Sequence, residues 1–149
     1  MESFPVRVIK QILHQPAKKP YFVQLEITNV CNLACEMCPR HHVDVPHEHM
    51  DFEVFKQIVD RLEGTEEISL VGLGEPFCYP RIFDAIAYCK QQGIITKVTT
   101  NGLMFNSEQK LEQLIESGLD TLSVSIERIE EDGTSDDKVH RNTDALTAV

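Results

Sequence analysis

The amino-acid sequence predicts an α/β fold of parallel strands, a layer or a barrel, and three observations predict it. Segments of strand composition begin near residues 21, 67, 94 and 121, with one helical pattern between each pair. Residues suited to starting and stopping helices punctuate those intervals. The chain has 149 residues, 42% of them hydrophobic, which is the size and composition of one globular domain. Strand–helix–strand repeated in this way implies parallel strands joined by right-handed crossovers.

The elements follow in order. Pro5 to His14 sets Val6, Ile9 and Leu13 on one face, with Pro5 where a first helical residue tolerates it. Pro16 and Pro20 break that pattern, so residues 1–20 are expected to form a helix and linker ahead of the main unit, 21–149. Tyr21 to Thr28 alternates apolar and polar residues as a first strand, and Cys31 to Met50 is a long polar loop. Asp51 is placed to cap a helix reaching Leu62, with Phe52, Phe55, Ile58, Val59 and Leu62 in one stripe. Glu67 to Val71 is the second strand, followed by the turn Gly72 to Pro76.

Pro80 opens a further helix that closes at Gly93, a residue suited to a left-handed cap. Ile94 to Thr100 is the third strand. Ser107 is expected to cap the next helix, with Leu111, Leu114 and Ile115 inward and Gly118 closing it. Thr121 to Ile126 is the fourth strand. The acidic stretch Glu127 to Asp137 reads as a solvated loop, and Lys138 to Val149 begins another helical pattern. Ending there leaves the fourth strand as an uncovered edge open to self-association, so the chain reads as the N-terminal part of a larger fold.

Charge and cysteine content narrow the function. Lys and Arg number 14 against 24 Asp and Glu, a formal charge of −10. An acidic surface repels a phosphate backbone, so nucleic acid is not an expected partner. No apolar tract is long enough to span a membrane, and the first residues lack the pattern of a secretory signal. Five cysteines, three of them within eight residues, suit a reducing cytoplasm and a metal site better than a disulfide scaffold.

Those three carry the strongest chemical signal: Cys31, Cys35 and Cys38, spaced CxxxCxxC. Thiolates select soft centres, namely zinc, copper(I) or an iron–sulfur cluster. A structural zinc site wants four ligands, whereas a cubane held by three cysteines leaves one iron open to a small molecule. His41, His42, His47 and His49 offer a fourth zinc ligand, although such a polar run also forms an ordinary solvated loop. Three weaker signals follow later strands: the Gly72–Leu73–Gly74–Glu75–Pro76 turn, Thr99 to Gly102, and Ser123 to Glu127. Each could be a plain turn or strand end. All four lie at carboxyl ends of strands, the edge where parallel α/β folds build ligand sites.

In this order the motifs resemble the radical S-adenosylmethionine (radical SAM) superfamily, over roughly Tyr21 to Ile126, most of all the branch with molybdenum-cofactor biosynthesis protein A and the SPASM-type peptide-modifying enzymes. The resemblance implies a partial TIM-type barrel, about four units of a (β/α)6 core. It implies that Cys31, Cys35 and Cys38 ligate a [4Fe–4S] cluster whose open iron binds S-adenosylmethionine. Gly72, Gly74, Glu75 and Pro76 would line the methionine part, with Glu75 accepting from its ammonium. Thr100 and Asn101 would face the ribose or carboxylate, Ser125 the same ligand, and Met37 the adenine.

The implied reaction is reductive cleavage to a 5′-deoxyadenosyl radical that abstracts hydrogen from a substrate, small molecule or peptide. It calls for an oxygen-free setting and a low-potential donor such as flavodoxin or ferredoxin. The sequence departs from the family pattern in three ways. Leu73 stands where the turn usually has its first glycine, strands five and six are absent, and Cys78 and Cys89 are isolated. Cys89 is expected to be buried and Cys78 to approach the site. Two alternatives remain: a fragment that binds a cluster but is catalytically idle, and a zinc-binding structural module.

Overall fold

The computed structural model describes residues 20–125 apart from 36, 45 and 106. The helix expected at Pro5 to His14, the acidic stretch from Glu127, and the helical pattern from Lys138 lie outside the described residues. Four parallel strands form one sheet in the order β1–β2–β3–β4: Phe22–Leu25, Glu67–Leu70, Ile95–Thr100 and Thr121–Val124. Three helices connect them: α1 (Phe52–Arg61), α2 (Ile82–Gln91) and α3 (Glu108–Glu116).

The sequence patterns explain the packing. On α1 the expected stripe buries Phe55 and Val59, and Asp51 caps the helix by accepting from the Glu53 and Val54 N–H groups at 2.9 and 3.1 Å. On α2 the inward residues are Ile82, Ala85, Ile86 and Cys89. They meet Ile68, Leu70 and Val98 of the sheet in one core, with the Phe52, Phe55 and Tyr88 rings packed against one another. Cys89 is buried as expected, and burial pushes its thiol up to about 11, which makes it an inert apolar filler.

Alternate strand positions point the other way. Gln24, Ser69, Lys97 and Thr121 stand in register across the sheet. Beside them Lys97 pairs with Glu67 at 2.8 Å. This polar face carries none of the helices among the described residues.

Several expected boundaries move. The first strand stops at Leu25, because residues beyond it turn to the returning loop: Ile27 O accepts from Met50 N at 2.9 Å, and Thr28 forms an antiparallel bridge with His49. Residues Pro76–Cys78 form a 3-10 turn, which delays α2 to Ile82, beyond Pro80. Ser107 precedes α3 but makes no side-chain cap. Gly93 and Gly118 close their helices with φ of 72° and 76°, as expected. One inward assignment is corrected. Leu111 and Leu114 pack against the core, but Ile115 is 73% exposed, since one edge of a short peripheral helix suffices to cover the core there.

Candidate functional site

The three strand-end motifs meet at one edge, and the carboxylate of Glu75 joins two of them. Glu75 is only 3% exposed. Its Oε1 accepts from the Thr100 hydroxyl at 2.6 Å and from Phe77 N at 3.2 Å, and its Oε2 accepts from Asn101 N at 2.8 Å. A carboxylate offers about four lone-pair positions. The three donors leave one on Oε2. Those donors offset the cost of burying this polar group.

The turn ahead of Glu75 is pressed onto the chain that leads into the cysteine loop. Glu75 N donates to Val30 O at 2.8 Å. A Cβ on Gly74 would stand 2.7 Å from the Val30 carbonyl oxygen and closer still to that of Thr28, so only glycine fits between these backbones. On the strand-one side, Glu26 accepts from Leu73 N through Oε1, and the same side chain fills the space a Cβ on Gly72 would need. Glu26, Gln24, Val71, Gly72 and Leu73 line an open cavity of about 440 Å³ on the polar face.

At the end of β3, Thr100 is 1% exposed; its hydroxyl donates to Glu75 and accepts from Gly102 N at 3.0 Å. Gly102 has φ of 76°, the left-handed conformation that this turn requires. Asn101 spends both ends of its amide inside the protein. Its Oδ1 accepts from Leu103 N at 3.0 Å, and its Nδ2 donates to Asn32 Oδ1 at 2.8 Å. The side-chain polar atoms of Thr100 and Asn101 thus each have a partner within the protein. Ser125 is half-buried and donates to the Thr100 carbonyl, through N at 2.8 Å and Oγ at 3.3 Å.

The cysteine loop is held at several points. Cys31, Cys35 and Cys38 are thiols, each half-buried. Cys31 Sγ accepts from Leu33 N at 3.4 Å, and Cys38 N donates to Cys35 O at 3.0 Å. Arg40 donates through Nη2 to Leu33 O at 2.7 Å, while its buried Nε has no hydrogen-bond partner. The loop returns through Asn29, whose amide grips Pro46 O and Glu48 N, both at 2.7 Å. Met37 lies on the surface, 76% exposed.

Of the histidines, His47 meets Arg40 at 3.4 Å through Nδ1, and His49 meets the Thr28 hydroxyl at 2.8 Å. No group of three or more His, Cys, Asp or Glu side chains is gathered closely enough to hold a metal ion among the described residues. Cys78 sits half-buried in the turn after Glu75; burial, then the nearby Glu75 charge, pushes its thiol up.

Sequence reasoning missed Glu26, Asn32 and Arg40. Asn32 and Arg40 lie within or beside the cysteine motif, which marked them as neighbours of a site. Glu26 carried a weaker signal, a carboxylate near the end of a strand.

Comparison with known proteins gives the family. Residues 25–147 match the model of the radical SAM superfamily. A tungsten-containing aldehyde ferredoxin oxidoreductase cofactor-modifying protein of Pyrococcus furiosus is 35% identical over 109 residues, covering 71% of this chain and 30% of that protein. A GTP 3′,8-cyclase of Photorhabdus laumondii is 31% identical over 134 residues, 83% of this chain and 38% of the cyclase. The chain thus spans less than half the length of these curated relatives.

Among solved structures, SuiB of Streptococcus suis bound to S-adenosylmethionine superposes with a TM-score of 0.65 at 21% identity, over 86% of this chain and 30% of that one. BtrN in complex with AdoMet and 2-DOIA gives 0.62 at 23% identity, over 72% of this chain and 46% of that one. These likenesses establish the fold, part of a radical SAM barrel. The curated relatives include GTP 3′,8-cyclases, of the branch that the motifs resemble. The chain belongs to the radical SAM superfamily, whose members are enzymes that use a [4Fe–4S] cluster and S-adenosylmethionine.

Proposed function

We propose that this chain forms the cofactor-binding portion of a radical SAM enzyme, with Cys31, Cys35 and Cys38 holding the cluster. The observation that carries the proposal is the joining of the cysteine loop, the Gly72–Pro76 turn and the end of β3 through Glu75, Val30 and Asn32. Bound there, the cluster and S-adenosylmethionine would supply reductive cleavage of the sulfonium to methionine and a 5′-deoxyadenosyl radical, which abstracts hydrogen from a substrate.

Three observations support the fit. The donor set is three thiols on one half-buried loop, which suits a soft metal centre. Gly74 leaves the backbone bare where a side chain would collide, so a ligand can approach the main chain closely. Arg40 Nε is buried without a partner beside that loop, a donor suited to an anionic group.

The chain's own residues then have distinct tasks. The thiols deprotonate to serve as ligands. The remaining lone pair of Glu75 Oε2 accepts from the amino-acid ammonium, while Gly72, Gly74 and Pro76 form the wall beside it. Met37 supplies an adaptable apolar surface for adenine, and Ser125 bounds the site from β4. Thr100 and Asn101 act from behind, by fixing Glu75. The electron comes from a low-potential donor of the flavodoxin or ferredoxin class, and an oxygen-free cytoplasm suits the chemistry. The substrate is a small molecule or a peptide.

Anaerobic reconstitution with iron and sulfide tests the assignment. The protein is expected to take up about four irons per chain with cluster absorbance, and Cys35→Ala to lose both. A Cys35→Ala protein with normal iron and absorbance contradicts it. Stoichiometric zinc without iron or sulfide would instead establish the structural module.

A further inference from the structure

The amide pair Asn32–Asn101 spans 69 residues of sequence and joins the residue after the first cysteine to the turn after β3. Asn101 is 6% exposed, and both its polar ends have protein partners. Its main-chain N–H is bound to Glu75 Oε2 at 2.8 Å. One residue therefore connects the Glu75 turn, through its backbone, with the cysteine loop, through its side chain. The Cys78 thiol, in the turn after Glu75, also meets the Asn32 backbone, so Asn32 is held from both motifs.

We propose that Asn101 and Asn32 form a latch that positions the cysteine loop for its metal centre. Asn101 donates Nδ2 to the side-chain Oδ1 of Asn32, which tethers the residue next to Cys31. Both are positioning residues, and neither is a ligand. The proposal rests on the reading that Cys31, Cys35 and Cys38 hold the cluster. A loop fixed before binding has less conformational freedom to lose when its thiols close on iron, so the latch favours retention of the centre.

A double-mutant cycle on the full chain tests this. The variants are Asn32→Ala, Asn101→Ala and their combination, with Asn32→Asp as the conservative change that keeps an acceptor for Asn101. Two readouts are taken. The first is amide hydrogen exchange of the Cys31–Cys35 segment in the metal-free protein. The second is the rate at which a chelator removes iron from the reconstituted protein.

Each alanine variant is expected to speed exchange of the segment and iron loss about fivefold or more, a coupling of about 1 kcal/mol. The double variant should be no faster than the faster single, because one bond is lost once. Asn32→Asp should remain close to wild type in exchange. Single effects that multiply in the double variant, or an Asn32→Asp protein as loose as Asn32→Ala, would overturn the latch. So would iron retention equal to wild type in both alanine variants while wild type holds its cluster. If wild type takes up no iron while exchange still responds non-additively, the cluster reading fails and the loop contact stands.

Discussion

Two regions of this molecule are held together by opposite means. Under the sheet, Phe55, Ile86, Ile68, Leu70 and Val98 exclude water and carry no polar atoms that need partners. At the carboxyl edge, Glu75, Thr100 and Asn101 are as deeply buried, but each is fixed by directed hydrogen bonds. Apolar packing tolerates changes that preserve volume, whereas a buried polar network tolerates only changes that preserve every donor and acceptor. The core therefore sets whether the chain folds, and the edge sets where the thiols and the bare backbone stand.

Breaking the core gives the largest expected change in stability. Phe55→Ala removes a fully buried ring that stacks on Phe52 and meets Tyr88, and should cost about 3–5 kcal/mol in denaturant unfolding. The folded fraction should still take up iron as wild type does. An equal loss of iron per folded chain would mean that the two regions are not separable.

Breaking the edge should have a smaller thermodynamic effect and a larger functional one. Glu75→Gln is nearly isosteric, but its amide nitrogen must face either Asn101 N or the Thr100 hydroxyl, so one buried donor loses its acceptor. A loss of about 1–3 kcal/mol is expected by thermal or denaturant unfolding. Binding of S-adenosylmethionine to the reconstituted protein, read by calorimetry, should fall more than tenfold. Unchanged affinity would remove Glu75 from the ligand's surroundings.

The smallest effect lies at the far end of the strands. Burial pushes the Asp120 carboxyl up, but donation from Lys90 Nζ at 2.5 Å and from Thr96 N at 2.9 Å outweighs it and holds the group below its ordinary 3.8. A lowered folded value means stability that is present above that ordinary value and lost as pH falls through the lowered one. Asp120→Asn should thus be less stable than wild type at neutral pH by about 1 kcal/mol or less, with the gap closing as pH falls below that ordinary value. A gap that widens on acidification would reverse the sign of the argument.

The same contrast explains what could be read in the sequence. Helix stripes and strand alternation are local patterns, so α1, α2, the strand order and the helix-closing Gly93 were legible. The cysteine spacing and the glycine turn were legible because their chemistry is concentrated in a few adjacent residues. The network was not, because its partners are distant: Glu75 meets Asn101 across 26 residues and Asn32 meets Asn101 across 69. A polar residue at a strand end looks the same in sequence whether it faces a ligand or braces a neighbour. The strand-end position of Thr100 and Asn101 points to a ligand site, but nothing local in the sequence points to the hydrogen bonds that their side chains also make inside the protein. Ile115 shows the converse, an apolar residue on a helical stripe with nothing to cover.

The most direct test of the central claim is to look for 5′-deoxyadenosine. The chain is reconstituted without oxygen, given S-adenosylmethionine and dithionite, and its products are separated by liquid chromatography. The account predicts that nucleoside and methionine form in equal amounts, and that neither forms with Cys35→Ala. A fully loaded cluster that yields no nucleoside would contradict it, and would make the chain a cluster-binding module without the cleavage activity.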